Sequence, residues 1–353
     1  MKNSELLKNI ITKYNTNPPD LYVYVVADVH YKTVNESDYR ICHASENEFF
    51  SRREFADIAS AIFYVFGYVK IFYSEIELIE YFLKNDINFN NCFVYNFSRD
   101  VIYQGKKALI PSFCNLYNIR YTGSDPFVIS LLRNKLVFTE ILDYHNIPVP
   151  KTMLLNNYNK IKESLIEFEN KEIIIKNIYE SASLGLSKQC RLLYSNQKYD
   201  ELISIINSIN TEKVLIQEYI DGIECEVFVI QYNKTYYAFN PIIINFPDGI
   251  SFMDTTTSNT YNYGFSLLTD SELVEMISSI SIKIAQILNI KDYARLDFKI
   301  KKGIPYIFDI AGTPYTIRHS SIAFLFEKMG LKYEDIYKII AMCMLSNYNS
   351  LNK

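Results

Sequence analysis

The sequence of 353 residues contains no tryptophan, only four histidines, and six cysteines that lie far apart. The cysteines form no C-x-x-C pair and have no histidine at metal-ligand spacing, so neither a structural zinc site nor a catalytic cysteine is indicated. No apolar run approaches the roughly 18 to 20 residues that span a bilayer. The start MKNSELLKNI lacks the features of a signal peptide. We therefore expect a cytoplasmic protein with reduced, mostly buried cysteines and no membrane partner.

The sequence also lacks a block of basic residues. Its formal net charge is -4, and lysine and arginine are scattered along the chain. Nucleic acid and anionic lipid attract proteins through clustered positive charge, so neither is an expected partner. The hydrophobic fraction of 49% instead predicts a globular protein, and the length allows two or three domains.

The first third of the chain alternates short apolar runs with amphipathic runs. Two S-x-x-E patterns, Ser51 with Glu54 and Ser74 with Glu77, predict the capping boxes that start helices. Strands separated by helices favour a small parallel sheet that is covered on both faces. A single helix is predicted over 127–145, followed by strands and a helix near 199–209. Composition changes around IRYTGSDP and before VLIQEYIDG divide the chain into domains at 1–122, 123–213 and 214–353.

The segment 294–320 carries the strongest chemical signal. Its alternation predicts a hairpin around Gly303, with Leu296, Phe298, Phe308 and Ile310 on an apolar face. Arg295, Asp297 and Asp309 share the opposite face. Counting back from the turn pairs Asp297 with Asp309, with their Cβ atoms about 5 Å apart.

Two like charges at that distance repel each other, so a proton or a cation is required between them. A hard ion with oxygen ligands, such as Mg2+, is the natural occupant. The alternative is a solvated strand face on which Lys299 and Lys301 neutralise the acids. The segment alone does not decide between the two.

Two further segments contain candidate ligand-binding groups. Lys176 ends a β-branched run and precedes a loop of serine and glycine, whose backbone N–H groups can approach phosphate oxygens. In QEYIDGIE, the polar side chains of Gln217, Glu218 and Glu224 can bind a polar ligand. Such loops are often simple turns, and acids beside a turn are usually solvated, so each segment alone is weak.

Taken together, these segments resemble the ATP-grasp superfamily, in particular its D-alanine:D-alanine ligase-like branch, from residue 119 to about 345. YTGSDP followed by LLRNK, KNIYESASLGLSK, QEYIDGIE, and the Arg-x-Asp and His-Ser elements occur in that family's order and spacing. The resemblance implies an α/β (α+β) fold of three domains, with an N-terminal Rossmann-like parallel sheet and two α+β domains that clamp ATP.

The resemblance also implies a function and its residues. The expected activity is that of an ATP-dependent carboxylate–amine ligase, which phosphorylates a substrate carboxylate and then forms an amide. Small-molecule carboxylate and amine substrates, Mg2+ or Mn2+, and a possible homodimer are implied with it. Asp297 and Asp309 would bind the metal ion. Arg295 would contact the reacting groups, and Ser320 would bind a substrate carboxylate. The residues that would bind ATP are Lys135, Lys176, Ser183, Gln217, Glu218, Tyr219, Glu224 and Phe308.

The sequence departs from the family at several positions. Ala311 stands where the family has an asparagine metal ligand, Asp309 replaces a glutamate, and Tyr315 fills a glycine position. The Ser-x-Glu and His-Gly elements of the N-terminal domain are not recognisable, so the expected product is not D-alanyl-D-alanine. Either water replaces the missing ligand, or the protein is a degenerate ATP-grasp protein that binds nucleotide or peptide without forming bonds. A purely structural protein would require every match to be a coincidence.

Overall fold

A computed structural model describes residues 3–29, 49–99, 105, 107–155, 165–179, 188–208 and 213–349. The helices are α1 (Ser4–Thr16), α2 (Arg52–Phe66), α3 (Glu75–Lys84), α4 (Leu109–Leu116), α5 (Pro126–Arg133), α6 (Lys135–Tyr144), α7 (Tyr199–Ser208), α8 (Thr255–Thr260), α9 (Ser271–Ile287), α10 (Ser321–Lys328) and α11 (Asp335–Asn349). The strands are β1 (Tyr22–Ala27), β2 (Val69–Phe72), β3 (Cys92–Phe97), β4 (Arg120–Tyr121), β5 (Thr152–Leu155), β6 (Glu172–Asn177), β7 (Arg191–Leu193), β8 (Val214–Glu218), β9 (Ile223–Tyr232), β10 (Thr235–Ala238), β11 (Ile242–Asn245), β12 (Gly264–Leu267), β13 (Tyr293–Lys301) and β14 (Ile304–Ala311).

The first sheet has the strand order β2-β1-β3-β4, and all of its pairs are parallel. Every residue of β3 is buried, as expected when helices cover both faces of a parallel sheet. The predicted Rossmann-like parallel sheet is thus confirmed.

The two predicted helix starts are both present, but only one has the complete capping box. The Ser51 side chain accepts from the Glu54 N–H, and the Glu54 carboxylate accepts from the Ser51 N–H. Ser74 likewise caps the Glu77 N–H, whereas the Glu77 carboxylate accepts from the N–H of Tyr73, one residue earlier. The second box is therefore half formed.

The second sheet is antiparallel, with the order β5-β8-β6-β7, and α7 packs its buried Leu202 and Ile206 into the same core. The prediction of one helix over 127–145 is wrong, because α5 ends at Arg133 and α6 begins at Lys135. Asn134 between them has φ -92° and ψ 94°, and its side chain accepts from the Val137 N–H. An asparagine used as an N-cap thus starts a new helix and places Lys135 at its first residue.

The third sheet has the order β12-β11-β9-β13-β14, with β10 paired to β9. The β13–β14 hairpin turns at Lys302 and Gly303, whose φ values are 51° and 79°. A two-residue turn with positive φ at both residues matches the right-handed twist of the strands that it joins. Helix α11 packs between this sheet and the first one, where the rings of Tyr337 and Tyr95 lie 5.8 Å apart. The first and third sheets therefore share a hydrophobic core.

The hairpin contains one irregularity that the alternation did not predict. A β-bulge after Asp297 pairs Phe298 with Ile307, so Phe308 leaves the predicted apolar face. Leu296, Phe298 and Ile310 are buried as predicted, while Ile307 replaces Phe308 in the core. Bulges are frequent next to functional sites because they re-aim a side chain.

The fold is mixed α/β, with one parallel and two antiparallel sheets. The domain divisions at 122 and 213 stay predictions. The pairing of β8 with β5 and β6 associates residues 214–218 with the second sheet. In the described ranges, no helix is both long enough and apolar enough to cross a membrane.

Candidate active site

A row of carboxylates crosses three neighbouring strands of the third sheet. Asp297 on β13 is paired directly with Asp309 on β14, as predicted, and with Glu226 on β9 on its other side. Asp297 and Glu226 are buried, so the hypothesis of a solvated strand face is wrong for this row. Glu226 was missed by the sequence analysis, although its spacing of two from Glu224 places both acids on one strand face.

Two cations pair with this row, and they are not the lysines considered in the sequence analysis. Arg295 forms two hydrogen bonds with Asp297, at 2.8 and 2.7 Å, and its Nε lies 3.4 Å from Glu226. The Nζ atom of Lys135 lies 2.7 Å from Asp309 Oδ1. Arg295 from β13 and Lys135 from α6 therefore supply the positive charge that faces these acids.

The carboxyl groups of the pair differ in their electrostatic surroundings. Burial raises the pKa of Asp297, and Arg295 opposes this effect only in part. Burial acts on Asp309 in the same sense, but the charges of Lys135 and Lys176, with hydrogen bonds from Lys135 and the Ile310 N–H, outweigh it and lower the pKa of Asp309. The repulsion expected between two facing acids is thus resolved by an uneven distribution of positive charge.

Lys176 is brought to the same place from the second sheet. It lies on β6, is 7% exposed, and has its Nζ 5.9 Å from the centre of the Phe308 ring. Burial and the neighbouring Lys135 lower the pKa of Lys176 to about 7. The bulge that removes Phe308 from the core therefore turns its ring towards the cleft between the second and third sheets.

The hinge between β8 and β9 lines the same cleft. Gln217 is buried and donates to Thr152 Oγ1 at 2.9 Å, whereas Glu218 is partly exposed and lies 3.3 Å from Lys171. Tyr219 is buried and donates to the Ser251 carbonyl at 2.9 Å. These contacts hold the side chains of Gln217, Glu218 and Tyr219 in place.

Glu224 is not solvated, contrary to the alternative considered from its sequence context. Its carboxylate lies 2.9 Å from Lys299 Nζ, with side-chain exposures of only 7% and 6%. Burial raises the pKa of Glu224, and the charge of Lys299 is the main opposing influence. Lys299 also donates to the Ser251 carbonyl at 2.9 Å.

Ser320 lies at the start of α10, where its side chain serves as a helix cap. Its hydroxyl accepts from the Ala323 N–H at 3.2 Å and donates to the Ile317 carbonyl at 2.7 Å. A serine hydroxyl has one proton, so in this conformation Ser320 offers none to a substrate carboxylate. The neighbouring Ser321 hydroxyl donates to Glu226. Ser183 lies outside the described residues.

The chemistry of the acid pair fits a magnesium or manganese ion. Within the described part of the chain, no group of three or more acidic, histidine or cysteine side chains is arranged to hold a metal by itself. Mg2+ is usually bound by one or two carboxylates together with water and substrate phosphates. Asp297 and Asp309 match that donor set, and Ala311, beside Arg295 in the hairpin, adds no further ligand.

The family of this chain is shown by its similarity to known proteins. Residues 141–341 match the family described as D-ala D-ala ligase C-terminus. A D-alanine–D-alanine ligase from Maridesulfovibrio salexigens is 27% identical over 213 residues, which cover 60% of this chain and 67% of that protein. Because the family match spans more than half of the sequence, the chain belongs to this D-alanine–D-alanine ligase family.

Solved structures agree on the fold. A D-alanine–D-alanine ligase from Bacillus anthracis superimposes with a TM-score of 0.69 at 17% identity, covering 94% of this chain and 99% of that one. A structure of the Bacillus anthracis ligase complexed with ATP gives a TM-score of 0.64 at 17% identity, with the same coverage of both chains. The three-domain ATP-grasp architecture expected from the sequence is confirmed.

Proposed function

We propose that this protein is an ATP-dependent ligase that joins a carboxylate to an amine through an acyl phosphate. The observation that carries the proposal is the convergence of Lys135, Lys176 and Arg295 on the acids Asp297 and Asp309 in the cleft between two antiparallel sheets. Phosphoryl transfer is catalysed mainly by positioning and by neutralising charge, and this cluster supplies both.

Each residue has a proposed role. Lys135 and Lys176 position the phosphates of ATP, and Arg295 stabilises the charge that develops on the transferring phosphoryl group and on the tetrahedral oxyanion. A magnesium ion held by Asp297 and Asp309 would neutralise phosphate charge when bound. The hinge residues Gln217, Glu218 and Tyr219 with Phe308 hold the base, Glu224 holds the ribose, and Ser183 covers the phosphates.

The role proposed for Ser320 depends on a rearrangement. Ser320 binds a substrate carboxylate only if its hydroxyl proton turns away from the Ile317 carbonyl, to which it donates in this structure. The N-terminus of α10 favours an anion there in either case, because its first N–H groups and helix dipole point outwards.

We also propose a cytoplasmic site of action and small-molecule substrates, with a homodimer as the assembly. The described cysteines are free and buried, which is consistent with a reducing compartment. The family relationship makes an amino acid or a related carboxylate the first class to test, with a product other than D-alanyl-D-alanine. The substrates are set by parts of the chain that depart from the family.

A second function, nucleotide or peptide binding without bond formation, is favoured by two features. Tyr315 fills a position that is glycine in the family, and its ring packs at 5.2 Å from the Phe50 ring. A side chain at this position and the loss of an amide at Ala311 are both compatible with decayed catalysis.

The release of ADP by the purified protein separates the two functions. The assay contains Mg2+ and ATP with pooled amino acids and dipeptides, and Asp297→Ala serves as the inactive control. A ligase releases ADP with particular pools only, and the variant does not. A protein that ATP stabilises against heat, but that releases no ADP with any pool, is the binding protein instead.

A further inference from the structure

The crevice at the end of the first sheet is a second place where ligand chemistry is concentrated. β2 lies on one side of β1 and β3 lies on the other, so the direction in which the chain adds strands to the sheet switches at β1. In open parallel sheets, ligands bind outside the carboxyl ends of the strands at such a switch point. Asp28 directly follows β1, and Arg99 lies two residues beyond β3; both are 2% exposed.

Arg99 is held in an unusual environment for a buried cation. Its guanidinium carbon lies 4.7 Å from the centre of the Phe50 ring and 4.1 Å from that of Tyr315. Nη2 donates to the Thr313 carbonyl at 3.0 Å, and Nε has no hydrogen-bond partner. Within the described part of the chain, no carboxylate forms an ion pair with the Arg99 guanidinium, although the buried Asp28 carboxylate accepts a hydrogen bond from the Arg99 backbone N–H. The aromatic rings attract the cation but do not neutralise it.

Two hydroxyl groups near Arg99 also lack partners. Thr313 Oγ1 and the Tyr293 hydroxyl are buried without a hydrogen bond. Burial raises the pKa of the Tyr293 hydroxyl, and the charge of Arg99 opposes this rise, so the two groups are close enough to interact. Buried polar groups are rarely left unpaired, because each unpaired group loses its hydrogen bonds to water without a replacement, and a buried charge loses more. A guanidinium and two hydroxyls together suit a carboxylate ligand.

The crevice is connected to the reacting groups through one loop. Thr313 and Tyr315 follow Ala311, which pairs with Arg295 across the hairpin. The loop therefore contacts Arg99 within a few residues of the point where the substrate carboxylate would be phosphorylated.

We propose that this crevice binds a second carboxylate of the acyl-donor substrate, with Arg99 as its receptor. The substrate class is then a dicarboxylic acid or an acidic amino acid, of which one carboxylate is phosphorylated and the other is held by Arg99. This inference rests on the proposed ligase function. It also gives Tyr315 a role, since its ring covers the guanidinium that a glycine would leave open.

The test compares acids with their isosteric amides. Thermal unfolding of the full-length protein is measured with D- and L-aspartate and D- and L-glutamate, and with the corresponding asparagines and glutamines, each with and without magnesium and a non-hydrolysable ATP analogue. We expect at least one acid to stabilise the protein at a concentration about tenfold or more below that of its amide. A charge-assisted hydrogen bond accounts for a difference of that size.

Two variants and a control assign the effect to Arg99. Arg99→Gln is expected to abolish the preference for the acid, whereas Arg53→Gln, a change of an exposed arginine on α2, leaves it intact. If Arg99→Gln does not fold, Arg99→Lys carries the test and is expected to reduce the preference, because lysine cannot form the bidentate pair. A merely structural role of Arg99 would change stability without changing the ratio of acid to amide.

The outcomes separate this inference from the function on which it rests. Equal responses to acids and amides, including no response to either, would overturn the inference, as would a preference that survives in the Arg99 variants. A protein that prefers acids but is not stabilised by the nucleotide analogue would keep the anion site and contradict the ligase proposal. A protein that the nucleotide analogue stabilises, but that responds equally to acids and amides, would keep the ligase proposal and contradict the dicarboxylate substrate.

Discussion

The buried pair of Glu224 and Lys299 gives the sharpest prediction about the cleft. The two side chains face each other from β9 and β13, at 2.9 Å and almost without solvent contact. The change Lys299→Met keeps the length of the stem and removes the charge, which leaves Glu224 as a buried carboxylate without its cation. Removing one partner of a buried pair costs about 3–5 kcal/mol.

The cost is expected to depend on pH in a defined direction. Burial raises the pKa of Glu224 even beside Lys299, and without that lysine the pKa rises further. A carboxyl group whose folded pKa exceeds its unfolded pKa holds a proton in the folded state, so its contribution to stability is lost as pH rises through the folded pKa. The variant should therefore be destabilised by about 3 kcal/mol at pH 8 and by less at pH 5.

Thermal unfolding at the two pH values measures this difference. Lys301→Met is the matched control, because Lys301 lies on the same strand and face but is partly exposed. The double variant Glu224→Gln with Lys299→Met should recover part of the stability at pH 8, since it removes the unpaired charge. A Lys299→Met protein as stable as the wild type at pH 8, or a double variant no more stable than the single one, would refute the reasoning.

Three further predictions concern other parts of the fold. At pH 8 the binding of ATP should be accompanied by the uptake of close to one proton, because the pKa of Lys176 is about 7 and the phosphates of bound ATP would raise that pKa. Calorimetry in buffers of different ionisation enthalpy measures the proton uptake, and the change Lys176→Gln should abolish the uptake. The Asp292 carboxyl has a pKa raised to about 7 by burial, so stability should fall as pH rises from 6 to 8, and Asp292→Asn should flatten this fall in thermal unfolding. A Cβ atom at Gly222 would lie 2.2 Å from the Ile300 carbonyl oxygen, so Gly222→Ala should destabilise the protein by about 1–3 kcal/mol in thermal unfolding. Gly264→Ala is the control and should have little effect, because the atom nearest to a Cβ at Gly264 would be 4.0 Å away.

The parts of the site that were predictable from the sequence depend on local patterns. The hairpin has a period of two and a glycine turn, and a turn centred on Gly303 predicts the pairing of Asp297 with Asp309. The actual turn pairs Lys301 with Ile304, and it is the bulge after Asp297 that restores the predicted pairing of the two acids. The order of the family's segments then located Lys135 and Lys176, and the structure brings both lysines to these acids.

The parts that were not predictable depend on a single residue or on distant contacts. The bulge that moves Phe308 shifts the alternation by one residue, and the break at Asn134 replaces a helical position with a cap. The partners of the acids come from other strands and helices, as with Glu226 beside Asp297. The stacking of Arg99 on Tyr315 joins residues more than 200 positions apart, and no local pattern indicates it.

The trapping of an acyl phosphate tests the ligase proposal most directly. The protein is incubated with ATP, Mg2+ and the carboxylate pools in the presence of hydroxylamine, which converts an acyl phosphate to a hydroxamate. If the proposal is correct, one pool yields hydroxamate in a one-to-one ratio with ADP, and the Asp297→Ala protein yields neither. ADP without hydroxamate would identify an ATPase, and neither product, from a protein that still binds ATP, would contradict the ligase function.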